Sequence, residues 1–419
     1  MKYFKFGFYA VVTKPLFNIL IMLEIAAMLI VANMAISTAN SRAILNDPYA
    51  GLISHEGFLY QCENKKVDLT YDNDLIVKDV LDSLKGDLTF TCSYSTQIVS
   101  DKSVLKGSLL TIEEVRNLYA FDEKVFSKFN LPLTEGRWAS PQRNEKNQIE
   151  AVAVVGTDNY LKVGDIIKCS LPQTDENYRV SYVDIGEIVI VGTVSGSDYY
   201  PTTTLGGGST KNVKNLYQSA SSHDGQAEFL VCASADKHLT DPHLIARNAV
   251  FINYNSEPSE EIRTYNQQQI SSMRATVIDL SKFKQNSDEF LYEQYIKLLP
   301  LLLCVFIIVL TGLICSVAMN TSSQLRNYGV YFLCGCRWKG CLKISLAYSA
   351  IILTGGAILG TIAFLLFQLS DYAKLFEQNL ALNNIYITLA VILIMLLISL
   401  IIPFFMVRKT SPVETIHAN

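Results

Sequence analysis

No Gly-x-x-x-x-Gly-Lys-Ser/Thr loop occurs in these 419 residues, so the chain carries no phosphate loop of its own for a nucleotide. His-Glu-x-x-His and Gly-x-Ser-x-Gly are missing as well. The five histidines, His55, His223, His238, His243 and His417, keep no metal-ligand spacing, so nothing recommends catalysis or a metal site. Cys-x-x-Cys is absent: Cys334 and Cys336 lie one residue apart and, like Cys304, Cys315 and Cys341, read as small apolar filler in or near a membrane. Cys62, Cys92, Cys169 and Cys232 show no zinc pattern and leave open two disulfides, in three pairings, or free thiols. Charge is scarce, at 18% of residues and a net of −4, and no basic patch stands ready for nucleic acid.

What the chain has instead is length without charge. Leu298 to Met319 runs without one charged side chain, and roughly twenty apolar helical residues cross a hydrocarbon core. Pro15 to Ile36, Ile344 to Leu369 and Ile385 to Val407 are further runs of that kind, whereas half the composition is not apolar. The expected division is an interfacial helix at 1–14, membrane helices at 15–36, 298–319, 344–369 and 385–407, and an external domain at 37–297. A cytoplasmic connection at 320–343, a short external loop at 370–384 and a tail at 408–419 complete it. The first run is too long for a typical signal core and reads as an uncleaved anchor. Lys2, Lys5 and Lys14, then Arg326, Arg337, Lys339 and Lys343, then Arg408 and Lys409, mark both termini and the 320–343 connection as cytoplasmic. The domain at 37–297, with 25 basic against 35 acidic side chains, lies outside.

That domain reads as α+β. Strands are expected at 58–62, 88–99, 150–155, 179–194, 228–233, 250–254 and 276–280, and helices at 74–84 and 258–273. Ser37 to Leu45 extends the first span as a stalk until Asp47-Pro48 stops it, and Lys282 to Lys297 forms a second stalk running into the membrane without Pro or Gly. Pro201 to Asn212, with three consecutive glycines, reads as a mobile loop. Inside the first span, Glu24 is the intramembrane polar candidate: it serves transport or coupling, or sits protonated and bonded to a neighbouring helix, with Thr311 and Thr354 as the partners on offer. Gly356 and Gly360 form a Gly-x-x-x-Gly step for close helix packing, within the bundle or between two copies.

The connection reads QLRNYGVYFLCGCRWKGCLKISLAYSAIIL and resembles the cytoplasmic loop of FtsX-type permeases of ATP-binding cassette systems, where Arg-Glu-x-Gly leads to Leu-Arg-x-Leu-Gly. Arg326 and Gly329 match the first part, Leu333 takes the hydrophobic position before Cys334, and Gly335 matches the later glycine; Asn327 replaces the usual Glu and Phe332 the usual Arg. Ser411 to Ile416 resembles that family's Pro-Val-Glu tail. Tyr119 to Trp138, ending in Leu-x-x-Gly-Arg, then Glu150 to Gly156, the Gly164-Asp165 turn and Val189 to Val194 resemble the periplasmic core domain of MacB-like transporters.

The resemblance implies a permease subunit that couples ATP hydrolysis on a separate chain to motion of its external domain, acting on lipoproteins, antimicrobial peptides or other amphiphiles. It implies a bacterial cell membrane, two copies of the ATPase carrying ATP and Mg, a second permease copy or related permease, contact with lipid, and an external protein or peptide. Arg326, Gly329, Leu333, Gly335, Arg337 and Trp338 would then meet the ATPase. Two other readings stand beside it: a regulator of an external cell-wall hydrolase, and a membrane sensor with an external ligand domain, although only twelve residues follow Val407 to carry a signalling module.

Overall fold

The structure, a computed structural model, describes residues 2–62, 72–100, 114–156, 161–174, 180–196, 198–207, 210–222, 227–271, 275–335, 337–368 and 382–409. Most of the expected loop at 370–384, the Ser411 to Ile416 segment, and Gly208 and Ser209 of the glycine stretch lie outside the described residues. In chain order the helices are α1 (Lys2–Thr13), α2 (Pro15–Ile53), α3 (Asp72–Ser83), α4 (Glu123–Phe126), α5 (Glu260–Ser271), α6 (Leu280–Leu333), α7 (Trp338–Gln368), α8 (Leu382–Ser399) and α9 (Ile401–Lys409). The strands are β1 (Gly57–Cys62), β2 (Leu88–Ser100), β3 (Glu114–Phe121), β4 (Glu135–Gly136), β5 (Ile149–Val154), β6 (Ile166–Thr174), β7 (Val180–Val194), β8 (Tyr199–Pro201), β9 (Tyr217–Ser219), β10 (Glu228–Cys232), β11 (Ala246–Tyr254) and β12 (Ala275–Asp279). They divide into two compact units, Met1–Ser41 with Tyr292–Asn419, and Arg42–Leu291.

The Arg42–Leu291 unit is built on a ten-stranded mixed sheet in the order β12-β1-β11-β2-β3-β10-β5-β7-β4, with β6 pairing both β2 and β7. Most pairs are antiparallel, while β10 runs parallel to β3 and β5 parallel to β7. The strand period of two sends alternate side chains to opposite faces. Ile149, Ala151 and Ala153 of β5 join Phe229 and Val231 of β10 in one core, whereas Val152, Val154 and Leu230 enter another with Phe121, Phe126 and Phe251. Both faces of β5 are therefore covered, and all six of its residues are buried. At the β1 end, α3 contributes Val77 and Leu81, one turn apart, and α5 contributes Ile270, over Phe58, Tyr60 and Ile252.

Two expectations for this unit are corrected. Pro48 does not stop the first helix: α2 continues to Ile53. Leu45, Tyr49 and Ile53, at four-residue spacing, are all buried in the core with Phe251 and Phe129, and that burial offsets the hydrogen bond a proline costs. The 201–212 stretch is also anchored along its described residues. Thr202 N–H donates to Leu216 O at 2.8 Å, Gly206 N–H to Asn215 O at 2.7 Å, and Asn248 Nδ2 to the buried Thr203 Oγ1 at 2.9 Å. Cys169 and Cys232 are free thiols, and burial pushes Cys169 up to about 12.

Among the described residues, four helices are long and apolar enough to cross a membrane. Their shared core is a narrow stripe of Ile21, Ile25, Met28, Leu313, Ile352 and Met395, whereas Ile307, Ile358 and Leu393 point outward and are exposed. Lys14 separates α1 from α2, which opens on Pro15, a residue that needs no donor at the first helical position. The fourth span is broken at Leu400: Pro403 has no N–H to continue the ladder, and α9 restarts with Phe404 N–H donating to Leu400 O at 3.0 Å.

The 320–343 connection is corrected as well. Rather than a loop throughout, the segment is helical at both ends: α6 continues to Leu333 and α7 begins at Trp338. Tyr328 explains the extension, because it is fully buried with Cys341, Ile344 and Val407 and holds the last turns of α6 against α7.

Candidate functional site

The residues that the sequence nominates for coupling lie at the α6–α7 corner. Cys334 N–H closes the end of α6 on Val330 O at 3.0 Å, and Gly340 N–H donates to Arg337 O at 2.7 Å. Between them Gly335 takes φ +89°, a left-handed conformation that turns the chain back, and nothing lies within 4 Å of where its Cβ would be. Arg326 is exposed one helical turn before the buried Gly329. Arg337 is exposed in the turn itself. The backbone of Leu333 ends α6 and that of Trp338 begins α7. The corner thus gathers all six coupling candidates and presents two guanidinium groups outward.

α1 packs on this corner rather than standing apart. A Cβ on Gly7 would come within 2.9 Å of Ala347 Cβ, so only glycine allows α1 this close to α7. Phe6 meets Tyr331 at 5.5 Å between ring centroids, and the Lys343 ammonium lies 5.5 Å from the ring of Tyr3. Polar groups then bind α1, α2, α6 and α7 together: Asn18 Nδ2 donates to Val11 O at 2.8 Å, Tyr348 Oη donates to Asn18 Oδ1 at 2.6 Å, and Ser316 Oγ pairs with Tyr348 Oη at 2.8 Å. Since an unpaired hydroxyl in an apolar interior is costly, this chain holds α2, α6 and α7 in one register.

The glycine step faces α2 of the same chain. A Cβ on Gly356 would stand 2.8 Å from Ile25 Cβ, and one on Gly360 would stand 3.1 Å from the Ala26 backbone. Glu24, half-buried, sits where its Oε2 would meet a Cβ on Gly312 at 3.1 Å. Neither threonine proposed as its partner serves it: Thr311 Oγ1 donates to Ile307 O and Thr354 Oγ1 to Ala350 O, each at 2.7 Å along its own helix.

A second polar ladder escaped the sequence reading. Asn384 Nδ2 donates to Ser37 Oγ at 3.0 Å and to Asn33 Oδ1 at 3.2 Å, Asn40 Nδ2 donates to Asn384 Oδ1 at 3.0 Å, and Asn33 Nδ2 reaches Thr388 Oγ1 at 3.1 Å. The signal was the spacing of Asn33, Ser37 and Asn40, and of Asn384 and Thr388, which puts each set on one helix face.

In the Arg42–Leu291 unit, the Leu-x-x-Gly-Arg segment is a structural crossing. Gly136 takes φ +83°, and a Cβ there would strike Val191 O at 2.2 Å. Arg137 N–H donates to Val191 O at 2.9 Å, while its guanidinium grips Glu150. The Gly164-Asp165 turn is fixed by Gly164 N–H on Ile190 O at 2.8 Å. Among the described residues, no group of three or more His, Cys, Asp or Glu could hold a metal.

No model of a known protein family matches the chain, and no curated protein matches it in sequence. Among solved structures, the crystal structure of the periplasmic region of MacB from Actinobacillus actinomycetemcomitans is similar at 10% identity, over 57% of this chain and 95% of that one, with a TM-score of 0.27. An overlap that loose carries neither activity nor partners across.

Proposed function

We propose that this chain is the permease subunit of an ATP-binding cassette complex, in which ATP hydrolysis on a separate chain moves the external domain rather than driving solute through a pore. The observation that supports it most is α6. It starts directly after β12 and runs as one 54-residue helix through the longest apolar stretch to the Gly335 turn. On this reading α6 passes a displacement at the α6–α7 corner along the chain toward β12, with Pro300, which lacks a backbone N–H, as the point where the helix yields. The bundle fits that role, since the Asn18–Tyr348–Ser316 chain and the close Gly7 and Gly356 contacts tie the corner, α1 and the spans into one body.

On this reading Arg326 and Arg337 meet acidic side chains of the ATPase, Gly329, Leu333, Gly335 and Trp338 shape the docking corner, and ATP and Mg are held by the partner. Two copies, or this chain with a related permease, flank a pair of ATPases in a bacterial membrane with both termini cytoplasmic. Lipoproteins, antimicrobial peptides or similar amphiphiles are the substrates proposed. The test is purification of the tagged chain from native membranes in mild detergent, with mass spectrometry and an ATPase assay. A stoichiometric ATP-binding cassette protein whose hydrolysis loses substrate response with Arg326→Glu is expected. A preparation free of any ATPase overturns the reading and favours the sensor.

A further inference from the structure

Across the four apolar runs, 15–36, 298–319, 344–369 and 385–407, Glu24 is the one ionisable acid or base. It stands nine residues beyond Pro15, about 14 Å along the helix and so near the middle depth of a hydrocarbon core. Its carboxylate lies where α2 meets α6. Oε2 stands 3.1 Å from the place a Cβ on Gly312 would occupy, so the bare glycine is what leaves room for the oxygen. Glu24 is only half-buried. One helical turn before it, Leu20 is exposed on α2, as are Leu23 beside it and Ile308 one turn before Gly312 on α6. The carboxylate therefore opens sideways, toward the apolar surface of these helices.

No hydrogen bond or ion pair reaches Glu24 among the described residues, and Thr311 and Thr354 are committed to their own helices. A charge at that depth calls for a partner. The four runs contain no Lys, Arg or His, so this chain has no cation to offer there. A second copy brings the same four runs and the same deficit. A divalent metal is a poor match as well, because calcium and magnesium need several oxygen ligands, and no group of three or more His, Cys, Asp or Glu gathers among the described residues. What remains is a positive charge carried into the apolar layer by another molecule.

We infer that Glu24 binds the ammonium group of a cationic amphiphile dissolved in the membrane. An ammonium brings a full charge and three donors to the carboxylate, and the low dielectric around the site strengthens that attraction. The alkyl part lies along Leu20, Leu23 and Ile308, surface that is already apolar. An uncharged amphiphile gains only the second of these contacts, and an anionic one is repelled. This narrows the amphiphiles proposed above to cationic ones, but the site belongs to the α2–α6 contact and does not need the permease reading.

The experiment uses the full chain in phosphatidylcholine nanodiscs and a dodecylamine that carries a diazirine in its alkyl chain, with the matching dodecanol as control. After photolysis, mass spectrometry maps the labelled segments. Saturable labelling of α2 around Glu24 and of α6 around Gly312 is expected with the amine, about tenfold above the alcohol and competed by plain dodecylamine. Glu24→Gln is expected to lower it to the level of the alcohol, Glu24→Asp to retain part of it, and Gly312→Leu, which fills the space beside Oε2, to weaken it. Melting curves accompany every variant, and the comparison of amine with alcohol on the unaltered chain keeps the test valid if a variant fails to fold. Equal labelling by amine and alcohol overturns the inference. So does undiminished labelling of a folded Glu24→Gln variant, which would mean that Glu24 serves as a neutral acid. No ATPase enters this assay, so a chain that binds the amine but purifies without an ATPase sinks the permease reading alone, and the reverse result sinks only this inference.

Discussion

Arg137 and Glu150 meet in a two-pronged pair: Nη1 donates to Oε2 and Nη2 to Oε1, each at 2.7 Å, and the Ser140 N–H adds a third donor to the carboxylate at 2.8 Å. The guanidinium bonds hold the Glu150 carboxyl below its ordinary range against the opposing effect of burial. A folded-state value below the unfolded one gives stability that is present above the unfolded value, about 4.3, and lost as pH falls through the folded one. Glu150→Gln is expected to cost about 1–2 kcal/mol near neutral pH, the lower end reflecting an Arg137 side chain that is 60% exposed, and to flatten the acid limb. Urea unfolding followed by Trp138 fluorescence at neutral pH and below pH 4 measures both.

The two glycine turns of the Arg42–Leu291 unit separate strain from collision. At Gly164, φ is +97° with open space beyond, so Gly164→Ala is expected to cost about 1–2 kcal/mol of backbone strain. At Gly136, the added Cβ also meets Val191 O at 2.2 Å, and Gly136→Ala is expected to destabilise by more than about 3 kcal/mol. Parallel melts of the two variants check the order.

The contact of Gly356 with Ile25 lies within one chain. An Ile25→Cys, Gly356→Cys double variant is therefore expected to cross-link on oxidation as a monomer. A denaturing gel dominated by dimer would place that glycine face between copies instead.

Asn384 is the hub of the ladder joining α2 and α8, with bonds to Asn33, Ser37 and Asn40. Interhelical hydrogen bonds in membranes contribute about 0.6–2 kcal/mol, so Asn384→Leu is expected to lower thermal stability in detergent modestly, and Asn384→Gln to restore part of it. A gain in stability with leucine would show that the ladder serves position rather than strength.

Segments whose sequence pattern matched their surroundings were legible. The apolar spans needed no tertiary knowledge, because a helix of that length without charge has few other places to go. β7 and β11 declared themselves through Val and Ile. β3 was less plain: Arg116 and Asn117 interrupt its apolar pattern, and only the fold supplies Glu228, whose Oε1 accepts from Asn117 Nδ2 at 3.0 Å and Tyr119 Oη at 2.8 Å. Of the coupling candidates, the sequence indicated the segment but not its shape, because burial of Tyr328 is what draws that segment into helix.

By itself the sequence indicated the long apolar helices, the mixed α/β character of the Arg42–Leu291 unit and the absence of the catalytic and phosphate-binding motifs considered, since each depends on residues near one another along the chain. Only the tertiary structure decided that α2 passes Pro48, that the glycine stretch is anchored along its described residues, that Gly356 packs on Ile25, and that Glu24 lies against Gly312. In each case a partner far along the chain supplies the burial, the close approach or the hydrogen bond, and no local pattern encodes its distance.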